Sequence, residues 1–492
     1  MDSLRSLIRE YASSADIEYG PPPSRLKRET LRYGKLTVTG ALSVVSKKAK
    51  ARDPKATFIL DESPERDMLL DRASELLSEV EPLKLYAIER CIGAGRRVFR
   101  LLALVERTYP HLALMAYRNF FPCEYDGEPD FITLDVPGTS GKLILVEKKT
   151  GATLILGSDY YGELKMSFLR QTMNYSRDES CEPGLHAGSK LYKVKKDGLL
   201  KEVGVLIFGL SGTGKTTLTV ETHGLKPPEG AILRQDDIVI LTRSGEAVGT
   251  EFNLYPKTDS IPELPLLKPS VEHPDAILEN VVVREDGQPD FSDLSITPNA
   301  RALAIRDAIP IADGRYDLDH VDLMVFLTRR PEMPPLVRLT SPEQAAAYFA
   351  LGESYRTSAE AGRPEPVRVP GFDPFMLEPR WRTVVLIMDI VRRKEIEVVV
   401  MNTGYVGDAK VPPEASKNLL LATVKGEVDW RFDDELGVEV AVKAPGVDLE
   451  VYNPRRIYGP SAYSEAVRRL REERRRFIVE TIPQLRFLAD YV

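Results

Sequence analysis

The chain has 492 residues, 43% of them hydrophobic and 29% charged, and a formal net charge of −7. That length supports two to four domains with cores of their own, and the composition is that of an ordinary globular protein. An acidic balance with no basic stripe interleaved with aromatics excludes a nucleic-acid binder, and no apolar run approaches the ~20 residues of a membrane-spanning helix. In chain order, MDSLRSLIREYASS is charged and amphipathic, without the apolar centre of a signal peptide. PPPS at 21–24 separates this short helix from the rest of the chain. LKLYAIERCIG (83–93) and VFRLLALVERTY (98–109) read as strands, the second with a possible helix start. Residues 131–157 read as three strands with tight turns, and GELKMSFLRQTMNYS (162–176) has the three-and-four spacing of a helix. Cys91, Cys123 and Cys181 are far apart and lack CxxC spacing, which points to a reducing, cytoplasmic setting and no structural zinc.

The most informative stretch is GLSGTGKTTL, residues 209–218, which fits G-x-x-x-x-G-K-[ST]. A loop that wraps a triphosphate must aim several backbone N–H groups inward. Gly209, Gly212 and Gly214 permit the turns, Ser211 and Thr213 are small, Lys215 adds a point charge, and the Thr216 hydroxyl suits Mg²⁺, with Thr217 next in line. EVGVLIF (202–208) supplies the strand before the loop and KTTLTVETH the helix after it. AILRQDDIVIL (231–241) reads as a strand ending in Asp236 and Asp237, placed for a nucleotide-bound cation. The main boundary falls near 190–200: 1–195 as a mixed α/β N-terminal domain and 196–492 as a C-terminal P-loop nucleotide-binding domain. PELPLLKP (262–269) and GRPEPVRVPG (362–371) read as loops over the second domain, with a lid near 352–371. SAYSEAVRRLREERRRFIVE (461–480) is the last helix, and its RRLREERRRF run reads as a solvated face.

GLSGTGKTTL followed by QDD and by EFNLYPKT (251–258) resembles ATP-dependent phosphoenolpyruvate carboxykinase. Further similar stretches occur in order: GSDYYGELKMSFLRQTMNY, GLHAGS, ILENVVVREDGQPDFSDLSITPNAR, NTGYVGDAK and APGVDLEVYNPR. The resemblance implies a two-domain α/β fold of that family, with ATP and Mg²⁺ as cofactors. It implies that Lys215 and Thr216 hold the β- and γ-phosphates and Mg²⁺, that Asp236 and Asp237 serve the metals, that Lys257 meets the triphosphate, and that Lys410 lies near the base or ribose. Arg52 and Arg301 would bind the acceptor carboxylate and the transferred phosphoryl group, Tyr160 and Lys165 would line the substrate pocket, and His186 would ligate a second cation, Mn²⁺. Arginine's planar fork suits such anions, although Arg52, within KKAKAR, also fits a solvated loop.

The sequence departs from the family on the acceptor side. The family's two consecutive lysines read Lys165-Met166 here, and a thioether is a poor ligand for a hard divalent cation, so the second metal site is weakened. The histidine runs into HAGSKL rather than Cys-Ser-Ala-Asn, and the lid segment is shorter. Three readings remain open. The first is a divergent carboxykinase converting oxaloacetate and ATP to phosphoenolpyruvate, ADP and CO₂. The second is a kinase of the same fold that phosphorylates the hydroxyl of another small metabolite, with Asp237 or His186 as general base. The third is a non-catalytic nucleotide-binding protein.

Overall fold

The computed structural model of the chain describes residues 3–95, 97–124, 126–356 and 365–492. It is a mixed α/β protein that folds as two compact units, each discontinuous in sequence. Unit 1 is Met1–Tyr175 with Gly249–Tyr316, and unit 2 is Ser176–Val248 with Asp317–Val492.

Unit 1 is built on a seven-stranded mixed sheet. Its order is Asp16–Tyr19, Lys84–Ile92, Phe99–Glu106, Phe131–Val136, Ala152–Leu156, Leu143–Glu147 and Thr57–Ile59. The three strands read from 131–157 therefore form, and Phe131–Val136 is buried at every position because both faces of the sheet are covered. Helices Leu4–Ser14 and Arg66–Ser78 bury Leu7, Ile8, Ala73 and Leu77 against Leu104, Leu134 and Leu154 on one face. Tyr161–Ser180 meets residues of this sheet through a Thr133–Ser167 hydroxyl bond of 2.8 Å and Gln171 Nε2 donating to Ala152 O at 3.0 Å. A second, four-stranded sheet, in the order Arg301–Leu303, Ile277–Glu279, Leu42–Val44 and Lys35–Leu36, ties the returning segment 249–316 into this unit. That pairing is why a single crossing near 195 does not describe the chain. It also places 262–269 with unit 1.

Unit 2 holds a ten-stranded sheet. Its path runs Ala247–Gly249, Ile238–Leu241, Gly184–Lys196, Leu199–Phe208, Leu323–Thr328, Glu397–Asn402, Leu336–Leu339, Val438–Lys443 and Asp429–Asp433, with Gly230–Gln235 also paired to Gly184–Lys196. Its middle strands, Leu199–Phe208, Leu323–Thr328 and Glu397–Asn402, are parallel. Their side chains alternate between two cores: Leu206, Phe208, Met324 and Phe326 face one way, and Val205, Ile207, Val325 and Leu327 the other.

Several local expectations change. PPPS begins a helix, Pro23–Thr30, because proline suits the first helical turn. Asp236 and Asp237 do not end a strand but interrupt one, between Gly230–Gln235 and Ile238–Leu241. The last helix is Pro460–Thr481, yet its charged run is not wholly solvated: Arg474 is 2% exposed and is bound by Glu353. Of the expected lid, Glu353–Arg356 and Glu365–Arg368 pair as a ribbon, and residues 357–364 lie outside the described residues. Cys91 and Cys123 form a disulfide, which corrects the expectation of reduced cysteines; only Cys181 is free. Reciprocal backbone bonds between Cys91 and Phe121 bring the two segments together despite their separation in sequence. Among the described residues no helix is long and apolar enough to cross a membrane.

Candidate functional site

In unit 2 the loop 209–214 leaves the carboxyl end of the strand Leu199–Phe208, a central parallel strand, which is where ligands bind in open α/β sheets. Gly212 and Gly214 have φ of 78° and 90°, values that side chains with a Cβ disfavour. A Cβ on Gly209 would collide with the Thr213 hydroxyl, which is fixed by donating to Leu210 O at 2.7 Å. Thr403 Oγ1 donates to Thr213 O at 2.7 Å, so the NTGYVGDAK segment braces the loop. The helix after the loop is Lys215–Val220, only six residues. Thr216 and Thr217 stand half-buried in its first turn, and Ser211 is exposed on the loop. Lys410 is exposed on the ribbon Tyr405–Val406/Ala409–Lys410.

The antiparallel register that pairs His186 with Ile238 sets His186 beside Asp237. His186 Nε2 lies 3.1 Å from Asp237 Oδ1, and Lys215 Nζ lies 3.1 Å from the same nitrogen. Lys215 also donates to Asp236 O at 3.0 Å and stands 3.8 Å from Asp237 Oδ1. His186 Nδ1 is 2.8 Å from Phe372 O. A carbonyl can only accept, so Nδ1 carries the proton there, and in the neutral ring Nε2 keeps its lone pair. The ring thus presents a nitrogen donor next to a carboxylate oxygen. Among the described residues no group of three His, Cys, Asp or Glu side chains assembles as a metal cage.

Unit 1 gathers the other predicted residues. Tyr160 precedes the helix Tyr161–Ser180, which carries Lys165 and Met166; all three are buried. Arg52 Nε lies 3.5 Å from Glu163 Oε1, which also lies 3.6 Å from Arg170. The loop before Arg52 is held by Asp159, whose carboxylate accepts the backbone N–H groups of Lys47, Lys48 and Ala49 at 2.5, 2.8 and 3.0 Å. Asn299 Nδ2 donates to Lys50 O at 3.0 Å and to Tyr160 Oη at 2.9 Å, and its Oδ1 accepts from Arg301 at 3.2 Å. One amide thereby connects Arg52's loop, Tyr160 and Arg301. Lys165 Nζ is bound by Glu251 at 3.0 Å, and Lys257 is bridged to Arg301 through the backbone.

The comparisons with known proteins agree with one another. The phosphoenolpyruvate carboxykinase family model matches residues 15–450. The chain belongs to the ATP-dependent phosphoenolpyruvate carboxykinase family. It is 58% identical to the phosphoenolpyruvate carboxykinase (ATP) of Aeropyrum pernix over 494 residues, all of both chains. It is 27% identical to that of Rhizobium leguminosarum bv. trifolii, over 92% of this chain and 90% of the relative, and 26% identical to that of Brucella melitensis over the same shares. Within a phosphoenolpyruvate carboxykinase chain, sequence reasoning passed over Asp159, Glu163, Glu251, Glu279 and Asn299. Glu279 did leave a signal, an acid set inside the apolar run ILENVVV, which an edge of exposed charge does not explain.

Proposed function

We propose that the chain catalyses oxaloacetate plus ATP to phosphoenolpyruvate, ADP and CO₂. The observation that carries this reading is the end-to-end 58% identity to a protein of that name. It is accordingly an enzyme rather than a non-catalytic nucleotide binder. In the reaction the bond from C3 to the departing carboxylate breaks and its electron pair forms the enolate. The enolate oxygen then attacks the γ-phosphorus, and the bridging bond to ADP breaks.

The loop 209–217 is the phosphate-binding P-loop in this reading. Backbone N–H groups of the loop and Lys215 would neutralise charge on the phosphates, with Lys257 and Lys410 also assigned to the nucleotide. Arg52 and Arg301 take the acceptor carboxylate and the phosphoryl group in bidentate fashion. Tyr160 and Lys165 line the acceptor side, where the bonds from Asn299 and Glu251 limit their freedom before substrate arrives.

The donor set fits divalent cations. Thr216, Asp236 and Asp237 offer the oxygens that Mg²⁺ prefers, and His186, with Nε2 beside Asp237, offers a nitrogen suited to Mn²⁺. The chemistry such ions supply is charge neutralisation on the triphosphate and on the enolate oxygen. Met166 contributes no nitrogen, so binding of the second ion is weaker than a lysine at that position would give. Met166 is also the one observation that favours the second reading, phosphorylation of a different small hydroxyl compound.

A single assay separates them. Protein is incubated with ATP, Mg²⁺ and Mn²⁺, with and without oxaloacetate, and phosphoenolpyruvate and ADP are both followed. Formation of both only with oxaloacetate supports the carboxykinase, and an Mn²⁺ titration of the same activity reads the second site. ADP release without phosphoenolpyruvate, stimulated by a hydroxy acid, overturns it.

A further inference from the structure

We infer that Glu279 is a positioning residue for the acceptor side, its one buried carboxylate fastening together the segments that carry Arg52, Lys165 and Arg301. The inference rests on the carboxykinase reading for what those three residues bind. Glu279 ends the strand Ile277–Glu279, which is hydrogen-bonded on both sides. Its register partners are Val44, just before the Arg52 loop, and Arg301 itself. The side chain is fully buried. Oε1 accepts the Tyr161 N–H at 2.8 Å and the Ser46 hydroxyl at 3.2 Å, while Oε2 accepts the Tyr255 hydroxyl. The neighbouring Asn280 repeats the hold on the Arg52 loop, with Oδ1 accepting the Ser46 N–H at 2.9 Å.

Each tie leads to a different predicted substrate residue. Ser46 opens the loop that ends at Arg52. Tyr161 opens the helix on which Lys165 stands one turn later. The Tyr255 ring lies edge-on to Tyr161, with centroids 5.3 Å apart, and sits beside two cations: Lys165 Nζ is 5.6 Å and Arg301 Cζ 5.8 Å from its centroid. Arg301 further donates to Tyr255 O at 3.4 Å. As a carboxylate it accepts all three donors at once. A glutamine in its place keeps one oxygen for Tyr161 and Ser46 but turns its N–H₂ toward the Tyr255 hydroxyl, so that bond reverses and the Tyr255 proton loses its carboxylate acceptor.

Protonation would have the same effect as that substitution. Burial pushes the Glu279 carboxyl up to about 7, against the lowering effect of its bonds from Tyr161, Tyr255 and Ser46, and with Asp159 raising it further. The charged and titratable groups facing this cluster include Asp159, Tyr160, Glu251, Lys165, Lys50, Arg301, Tyr161 and Tyr255. The hydroxyls of Tyr161 and Tyr255 are themselves pushed upward by burial, so neither titrates in the neutral range.

The test uses the whole chain in three forms: unchanged, Glu279→Gln, and Tyr255→Phe. The last keeps the ring and removes a single tie, and so remains informative if Glu279→Gln fails to fold. Oxaloacetate affinity is measured by calorimetry without ATP, and KM for oxaloacetate and for ATP by phosphoenolpyruvate formation between pH 6 and 8. The expected result is an oxaloacetate Kd and KM raised about tenfold in Glu279→Gln and less in Tyr255→Phe, with KM for ATP unchanged. The unchanged chain should lose oxaloacetate affinity as pH falls through about 7, and Glu279→Gln should not. Equal loss of ATP and oxaloacetate affinity, or no loss in either variant, overturns the inference while leaving the carboxykinase reading intact. An unchanged chain that neither binds nor converts oxaloacetate overturns both.

Discussion

Lys165 Nζ lies 3.0 and 3.2 Å from the two carboxylate oxygens of Glu251, with side-chain exposures of 3% and 2%. Glu251 is held in turn by Asn119 Nδ2 at 2.9 Å. Removing one member of such a pair leaves the other charge buried and uncompensated, which costs about 3–5 kcal/mol. Glu251→Gln is therefore expected to lower unfolding free energy in urea by that order. Adding Lys165→Met should restore much of the stability and none of the activity. A stable Glu251→Gln protein with normal turnover would mean that Lys165 finds its neutralising charge elsewhere.

Lys215 occupies a position from which it reaches Asp236 O, His186 Nε2 and the start of the loop helix. If its role is to meet phosphate charge in the transition state, Lys215→Met should reduce kcat by about 10²-fold or more. Thermal unfolding without nucleotide should change little. The informative comparison is stabilisation by added ATP, expected to be large in the unchanged chain and small in the variant.

Glu353 sits at the base of the ribbon Glu353–Arg356/Glu365–Arg368 and binds Arg474 at 2.6 and 2.8 Å and Arg368 at 2.7 and 3.0 Å. Burial opposes its ionisation, but the guanidinium groups of Arg474, Arg330 and Arg368 outweigh burial and hold the carboxyl down at about 2, against an ordinary 4.5. An acid held low in the folded state contributes stability above its unfolded value. That contribution fades as pH falls from about 4.5 toward 2, for a total of roughly 3 kcal/mol. Urea titrations from pH 7 to 3 should therefore show a fall that Glu353→Gln lacks, and the variant should already be weaker at pH 7 because Arg474 loses its partner.

The Cys91–Cys123 bridge closes a loop with a sequence separation of 32. Chain-entropy reasoning gives such a closure roughly 3–4 kcal/mol of stabilisation. Thermal unfolding with and without a strong reductant should differ by several degrees, and Cys91→Ser/Cys123→Ser should match the reduced protein. Identical curves would show that the backbone bonds between Cys91 and Phe121 suffice to hold these segments.

What could be seen in the sequence came from local pattern. The strand–loop–helix around GLSGTGKTTL needs neighbouring residues only, and the three strands of 131–157 announce themselves by apolar runs between turns. The partner acids could not be seen that way. Glu251 meets Lys165 and Glu279 meets Ser46 across segments that only the tertiary fold brings together. Arg474 hides within a run of arginines and glutamates whose average reads as solvated, because burial there is decided by partners distant in sequence, Glu353 and Tyr348, 121 and 126 positions away. Cys91 and Cys123 pair for the same reason: the meeting of Cys91 with Phe121 is a tertiary event.

The interleaving of the two units has a consequence for how the chain comes to fold during synthesis. Translation proceeds at about 5–20 residues per second. Residues 1–175 would emerge with their seven-stranded sheet complete but without Ile277–Glu279 and Arg301–Leu303, the partners that Leu42–Val44 and the Arg52 loop require. Unit 1 closes only after Tyr316 has left the ribosome, by which time the first strands of unit 2 are already waiting for Leu323–Thr328. Arg52 and Arg301 are thus brought together late, and a messenger truncated between the codons of Leu156 and Ile277 yields the seven-stranded sheet without the Ile277–Glu279 and Arg301–Leu303 strands.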